Sequence, residues 1–314
     1  MSITTRQFQF TSEEDQLEID CLEIIPEKEP IGIVQFVHGM CEHKERYEDF
    51  MTYLAGEGYY CVIHDHRGHG KSIESDDDLG YFYDGGYLAL IEDTHKLTRL
   101  TKEKAGYHIP YILLGHSMGS MIVRCYLKKY DDDIDKLIVL GSPSKIPGMR
   151  PVLALTQGIG KIEGERERSK FLDYIVTHYM YESWFKDEGL HSWVCSDPDV
   201  VEEYNDDPYC NYTFTIQGYV NLIKLTQMTY DKDGWEMKNL NIPIFFASGS
   251  DDPCTLSPRD YGKAVHFLKD RGYTDVNATL FHGMRHELLN EKNKEKVYKA
   301  ILTFIETKEE TDTE

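Results

Sequence analysis

Ser117 lies in Gly115-His116-Ser117-Met118-Gly119, directly after the apolar run Tyr111-Ile112-Leu113-Leu114 and before a helix-like stretch. A serine on such a strand-to-helix turn is pushed clear of the sheet, and glycines flank it because the turn leaves no room for side chains. A serine hydroxyl is a poor nucleophile at neutral pH. It needs a histidine to take its proton and a carboxylate to hold that histidine's tautomer. The chain offers both in the order acid, then base. Ile244-Phe245-Phe246-Ala247 runs into Ser248-Gly249-Ser250-Asp251-Asp252-Pro253, and Ala278-Thr279-Leu280-Phe281 runs into His282-Gly283-Met284-Arg285-His286. Asp252 is preferred over Asp251 because Pro253 fixes the backbone after it. His286 is preferred over His282 because it has loop enough to swing inward. Acyl transfer also needs two amide donors for the oxyanion. Met118, after the serine, supplies one, and Met40 in His38-Gly39-Met40-Cys41-Glu42-His43 supplies the other.

These groups need a scaffold that ends its strands on one side. Buried-strand patterns fall at 31–37, 60–64, 111–114, 137–140, 244–247 and 278–281. Helical patterns fall between them near 45–57, 86–105, 119–130, 258–271 and 291–307. Such alternation predicts an α/β fold: a mainly parallel sheet covered by helices on both faces, with ligands beyond the carboxyl ends of its strands. Gln7–Phe10 and Glu18–Ile25 predict an N-terminal hairpin. From 141 to 241 the alternation stops, which predicts a mostly helical cap dividing the core into 1–140 and 242–307, with a flexible acidic tail at 308–314. Asp197-Pro198 and Asp207-Pro208 read as punctuation inside the cap.

A single G-x-S-x-G match is weak, since about 0.1 arise by chance in a chain this long. The joint pattern is far more specific. His38–His43, Asp65–Ser72, Gly115–Gly119, Gly249–Asp252 and His286–Glu291 resemble, without a gap, the motifs of the monoacylglycerol lipase and lysophospholipase branch of the α/β-hydrolase superfamily, catalogued with serine aminopeptidase-like hydrolases. Ser196–Val201, Tyr204 and Asp207-Pro208 extend the likeness into the cap, so it runs from about 31 to 305. The resemblance implies an α/β-hydrolase fold, a Ser117–Asp252–His286 triad, and monoesters with one long acyl chain entering beneath the cap. Trp184-Phe185, Trp193 and the tyrosines are candidates for an acyl channel or for core packing. A prolyl-type serine aminopeptidase is the enzyme alternative, with Glu163, Glu165, Glu167, Asp187 and Glu188 available to bind an amine. A non-catalytic binding module of the same fold is the other.

Composition excludes other classes. A net charge of −21 leaves no basic patch for phosphates, which argues against nucleic acid and against more than transient contact with anionic membranes. Seven cysteines without C-x-x-C spacing fit reduced thiols, and neither a leader-like segment nor a spanning stretch is apparent, so cytoplasm is the expected compartment. No cofactor or metal is expected. His64-Asp65-His66-Arg67-Gly68-His69 is read as a structural loop rather than a metal site, and oligomeric state is left open.

Overall fold

The computed structural model describes residues 2–105, 108–175 and 181–307. The tail expected at 308–314 lies outside the described residues. Among the described residues eight strands form one sheet. The hairpin of β1 (Ile3–Thr11) and β2 (Glu18–Pro26) is antiparallel and joins β4 (Tyr59–His64) antiparallel. From β4 onward, β3 (Gly32–Val37), β5 (Tyr111–His116), β6 (Lys136–Leu140), β7 (Ile244–Gly249) and β8 (Val276–Phe281) pair in parallel.

The central strands are buried along their whole length because successive side chains enter two different cores. Val34, Phe36, Ile112 and Leu114 pack with Phe50 and Leu54 of α1 (Glu48–Gly56) and with Val297 and Ile301 of α9 (Lys294–Glu306). Ile33, Val37 and Leu113 face the other way, against Leu97 of α2 (Gly86–Ala105), Ile122 of α3 (Met118–Tyr130) and Leu268 of α8 (Pro258–Lys269). The chain leaves β3 toward β4 and returns to β5 on the other side. The strand order therefore reverses between β3 and β5, which opens a crevice beyond their carboxyl ends.

Between β6 and β7 lie α4 (Met149–Glu163), α5 (Lys170–Asp173), α6 (Pro198–Asp206) and α7 (Ile216–Thr229). Asp197 caps α6 by accepting the Asp199 amide, with Pro198 in the first turn, and the helix stops ahead of Asp207-Pro208. One element of this segment departs from a cap. Tyr219 and Leu225 of α7 are buried in the same core as α2 and α3, so α7 also forms part of the helical layer on the sheet. No helix among the described residues is long and apolar enough to cross a membrane.

Candidate active site

Ser117 follows β5 immediately and precedes α3, with φ 51° and ψ −117°. That conformation is costly for any residue with a Cβ and is held by its surroundings. The Ser117 amide donates to the Leu140 carbonyl at 3.0 Å. A side chain at Gly119 would collide with the Val37 and His38 carbonyls, which is how β3 and the start of α3 come close enough to share a site.

The acid and the base arrive from β7 and β8. His286 Nδ1 lies 3.0 and 3.1 Å from the two Asp252 oxygens. Asp252 also accepts the Ser248 hydroxyl at 2.7 Å and the Cys254 amide at 2.9 Å. Burial penalises its charge, but His286 and these donors outweigh the penalty and hold the carboxyl below its usual range. The alternatives at both positions sit elsewhere. Asp251 is exposed and accepts from Ser250, and His282 is exposed. Gly141, at φ +53°, leaves room for the ring: a Cβ there would press on His286 Cε1 and on His116 at 3.2 Å.

The loop after β3 completes the crevice. Met40 and Met118 line one cavity together with Ser117 and His286. A Cβ on Gly39 would approach Ser117 Cβ to 2.9 Å, so this loop runs directly over the serine. Glu42 anchors it by accepting the Gly39 amide, the Tyr47 hydroxyl at 3.0 Å and His116 Nδ1 at 2.9 Å. The other nitrogen of His116 lies 3.2 Å from the His286 carbonyl. Both His116 nitrogens thus face acceptors, which requires an imidazolium. The direction of both shifts agrees: burial disfavours either charge, yet Glu42 raises His116, and His116 with Arg46 draws the Glu42 carboxyl down to about 2. This pair links the loop after β3, the serine turn and the histidine loop. Sequence reading assigned it no role, because Glu42 and His116 stand 74 residues apart and only the fold makes them partners.

The cavity has a volume of about 590 Å³, within the range of small-molecule sites. Met121 of α3, Met149 and Val152 of α4, and Leu222 and Ile223 of α7 supply much of its apolar wall. Trp193 lies in the wall, its ring 5.0 Å from that of His286, joined by Tyr181, Tyr204 and Tyr212. Trp184 and Phe185 do not line it: Trp184 is half exposed, and Phe185 stacks under Arg285 at 3.8 Å. Glu163, Glu165, Glu167, Asp187 and Glu188 are exposed and lie outside the lining. Four other carboxylates, Glu42, Asp173, Glu182 and Glu287, do reach it, and no lysine or arginine does among the described residues.

The 64–69 loop is buried scaffolding behind this site. Asp65 accepts the Lys44 and Lys71 amides and pairs with Lys44 at 2.6 Å, while Arg67 is held by Asp93 and Asp15. All seven cysteines are free and buried.

The geometry has relatives. Residues 28–293 match the family model described as serine aminopeptidase, S33. A monoacylglycerol lipase from Mycolicibacterium smegmatis is 27% identical over 289 residues, covering 89% of this chain and 90% of that protein. The phospholipase YtpA of Bacillus subtilis is 22% identical, covering 88% of this chain and 96% of that protein. A thermostable carboxyl esterase from Bacillus coagulans, solved with glycerol, superposes with a TM-score of 0.87 at 27% identity over 96% of this chain and 97% of that one. With an eight-stranded α/β-hydrolase sheet and a family match spanning most of its length, the chain belongs to the serine aminopeptidase S33 family, in its monoacylglycerol lipase and lysophospholipase branch, and is a serine ester hydrolase.

Proposed function

We propose that the chain hydrolyses esters carrying a single acyl chain and a neutral head group, monoacylglycerols foremost, with Ser117, His286 and Asp252 as the catalytic triad. Ser117 Oγ attacks the ester carbonyl while His286 Nε2 takes its proton, and Asp252 holds Nδ1–H and stabilises the imidazolium. The Met40 and Met118 amides receive the oxyanion. Collapse expels the alcohol, which leaves with the proton from His286, and water then releases the acyl group by the same route. Residues 141–241 serve as the cap in this reading, and the apolar wall of α3, α4 and α7 takes the acyl chain.

The observation that carries the head-group assignment is the charge of the lining, which is carboxylates and histidines without lysine or arginine among the described residues. Glu42 and Glu287 are balanced by His116 and Arg46, whereas Glu182 is held by N–H donors, the His191 amide and Trp193 Nε1; even at an effective dielectric near 20, one such carboxylate about 6 Å from a phosphate costs roughly 3 kcal/mol. Four lining carboxylates already hold other groups. Glu42 holds His116, Glu182 accepts the His191 amide and Trp193 Nε1, Glu287 holds Arg46, and Asp173 accepts the Tyr219 hydroxyl at 2.7 Å. This weighs against the aminopeptidase alternative, which needs carboxylates aimed at a free amine. Contact with the lipid surface that supplies substrate is proposed to be brief. Leu155 and Ile162 of α4 are exposed, but the net charge opposes anionic bilayers. A reducing compartment such as the cytoplasm suits the seven free thiols.

A substrate panel tests the assignment. kcat/KM for a long-chain monoacylglycerol is expected to exceed that for the matching lysophosphatidic acid by about 10-fold or more, with lysophosphatidylcholine between them. Equal turnover of the anionic ester, or faster cleavage of aminoacyl anilides than of any ester, would overturn it.

A further inference from the structure

At the seam between the loop after β3 and the end of α6, three ligand atoms of different chemistry converge. His43 Nε2 lies 2.8 Å from Asp207 Oδ2, and one ligand atom from each of His43, Asp207 and Cys210 lies within 4.8 Å of the other two. We propose that His43, Asp207 and Cys210 bind one divalent transition-metal ion, zinc by ligand type, at a site separate from the catalytic crevice. Imidazole, thiolate and carboxylate in one cluster are a zinc-type donor set, and the two anionic ligands balance a dication.

Both sides of the cluster are built to present these atoms. Glu45 Oε2 accepts His43 Nδ1–H at 2.7 Å, which aims Nε2 at the cluster. A carboxylate on the far nitrogen is the arrangement that orients metal-binding histidines. On the other side, the turn after α6 makes a chelate. Asp207 Oδ1 accepts the Tyr209 amide at 2.8 Å, and the Asp207 carbonyl accepts the Cys210 amide at 3.0 Å, so Oδ2 and the thiol face the histidine. His43 and Cys210 are buried, whereas the Asp207 side chain is 28% exposed and leaves an entrance and a position for a water ligand. Tetrahedral bonds of about 2.0–2.2 Å to nitrogen and oxygen and about 2.3 Å to sulfur need the nitrogen and oxygen roughly 3.3 Å apart and the thiol about 3.6 Å from each, so the His43–Asp207 contact opens by about 0.5 Å while the thiol, within 4.8 Å, closes in by up to about 1.2 Å.

Without metal, both nitrogens of His43 face carboxylates, so the ring is an imidazolium bridging Glu45 and Asp207. Metal binding forms bonds to Nε2, Oδ2 and Sγ, breaks the Nε2–H and S–H bonds, and releases two protons to solvent; no electron is transferred. The ion replaces a hydrogen-bonded bridge with coordinate bonds between the loop that carries Met40 and the segment that follows α6.

Among the described residues one other such group exists, Asp252, Cys254 and His286 in the active site, and the test must separate the two. The metal-free protein is titrated with Co²⁺ alone, following the thiolate-to-cobalt charge-transfer band, and with Zn²⁺ by calorimetry in buffers of different ionisation enthalpy. The expected result is one equivalent bound with release of close to two protons, the band retained in Cys254→Ser and lost in Cys210→Ser. Glu45→Gln, which keeps all three ligands, is expected to weaken binding by about 10–100-fold and so decides the matter if Cys210→Ser fails to fold. Absence of saturable binding, a band lost in Cys254→Ser but kept in Cys210→Ser, or unchanged affinity in Glu45→Gln would overturn the site.

Discussion

Replacing Ser117 by alanine is expected to lower kcat for ester hydrolysis by about 10⁴–10⁶-fold and to leave the thermal midpoint nearly unchanged. The side chain caps no helix, and alanine inherits the same φ of 51°. Glycine at this position separates function from strain. Ser117→Gly is expected to be equally inactive yet more stable by about 1 kcal/mol, because only a residue without Cβ sits at that φ and ψ at little cost. Asp252→Asn is expected to cost about 10⁴-fold in kcat, since an amide cannot hold the imidazolium or fix its tautomer, whereas Asp251→Asn is expected to stay near wild type. Steady-state kinetics on the four variants, with thermal denaturation alongside, checks the set. Substantial turnover by Ser117→Ala, or a larger loss from Asp251→Asn than from Asp252→Asn, would contradict the roles assigned here.

The second large effect is acid lability, and its source lies outside the reacting groups. His38, His64, His66 and His69 are completely buried with ring centroids as close as 4.0 Å. Their surroundings keep them neutral. Burial is the main cause in each case, drawing His64 down to about 3 and His69 to about 4, with His38 and His66 also well below the ordinary value and pushed further by their neighbours. Neither nitrogen of His64 has a hydrogen-bond partner among the described residues, so nothing there receives the added proton's charge. In the unfolded chain the same rings titrate near 6.5. Below that pH the unfolded state binds more protons, so stability is complete above about 6.5 and falls as pH drops, by roughly 1.4 kcal/mol per pH unit for each ring. Four rings give about 5 kcal/mol per unit, comparable to the whole stability of many domains within two units.

His43 and His116 act in the opposite sense. Burial opposes their charge, but their carboxylate partners raise both above the ordinary value, so their contribution is complete below about 6.5 and is lost as pH rises through the folded values. They add no slope on the acid side. Lowered carboxylates such as Asp252 are lost only below about pH 4, so from about 6.5 to 5 the four buried rings set the main slope, with His95, also lowered by burial, adding to the loss and Asp65, Asp93 and Glu48, raised by burial, opposing it. Urea denaturation across that interval is expected to show a steep loss, and His64→Phe, next to Phe10, is expected to make it shallower by one proton. A stability that stays flat over the interval would contradict the neutral cluster.

How much of this was legible in the residues depended on how local each cause is. The succession of strands and helices along the chain, and the strand ends followed by Ser117, Asp252 and His286, are legible from periodicity and from motifs only a few residues long, such as Gly115–Gly119, whereas the order in which the strands lie in the sheet is not. The antiparallel start was visible in Gln7–Phe10 and Glu18–Ile25 for the same reason. The Glu42–His116 pair, the neutral histidine cluster and the carboxylate lining come from contacts between distant segments, which no local pattern encodes. The segment 141–241 shows the difference in one element. Its helices were readable as helices, but whether α7 faces the cavity or the sheet depends on Tyr219 and Leu225 meeting α2 and α3, and the helix does both. Aromatic content likewise pointed to Trp184 and Trp193 equally, and only packing separates the ring beside His286 from the one in solvent.

Reaction with a fluorophosphonate, followed by peptide mapping, asks whether His286 and Asp252 activate Ser117, because labelling requires an activated serine and no knowledge of the substrate. One covalent adduct is predicted, on the peptide bearing Ser117, absent in Ser117→Ala and formed far more slowly in His286→Ala. A folded protein that takes up no label, or that carries it on a different serine, would contradict the account.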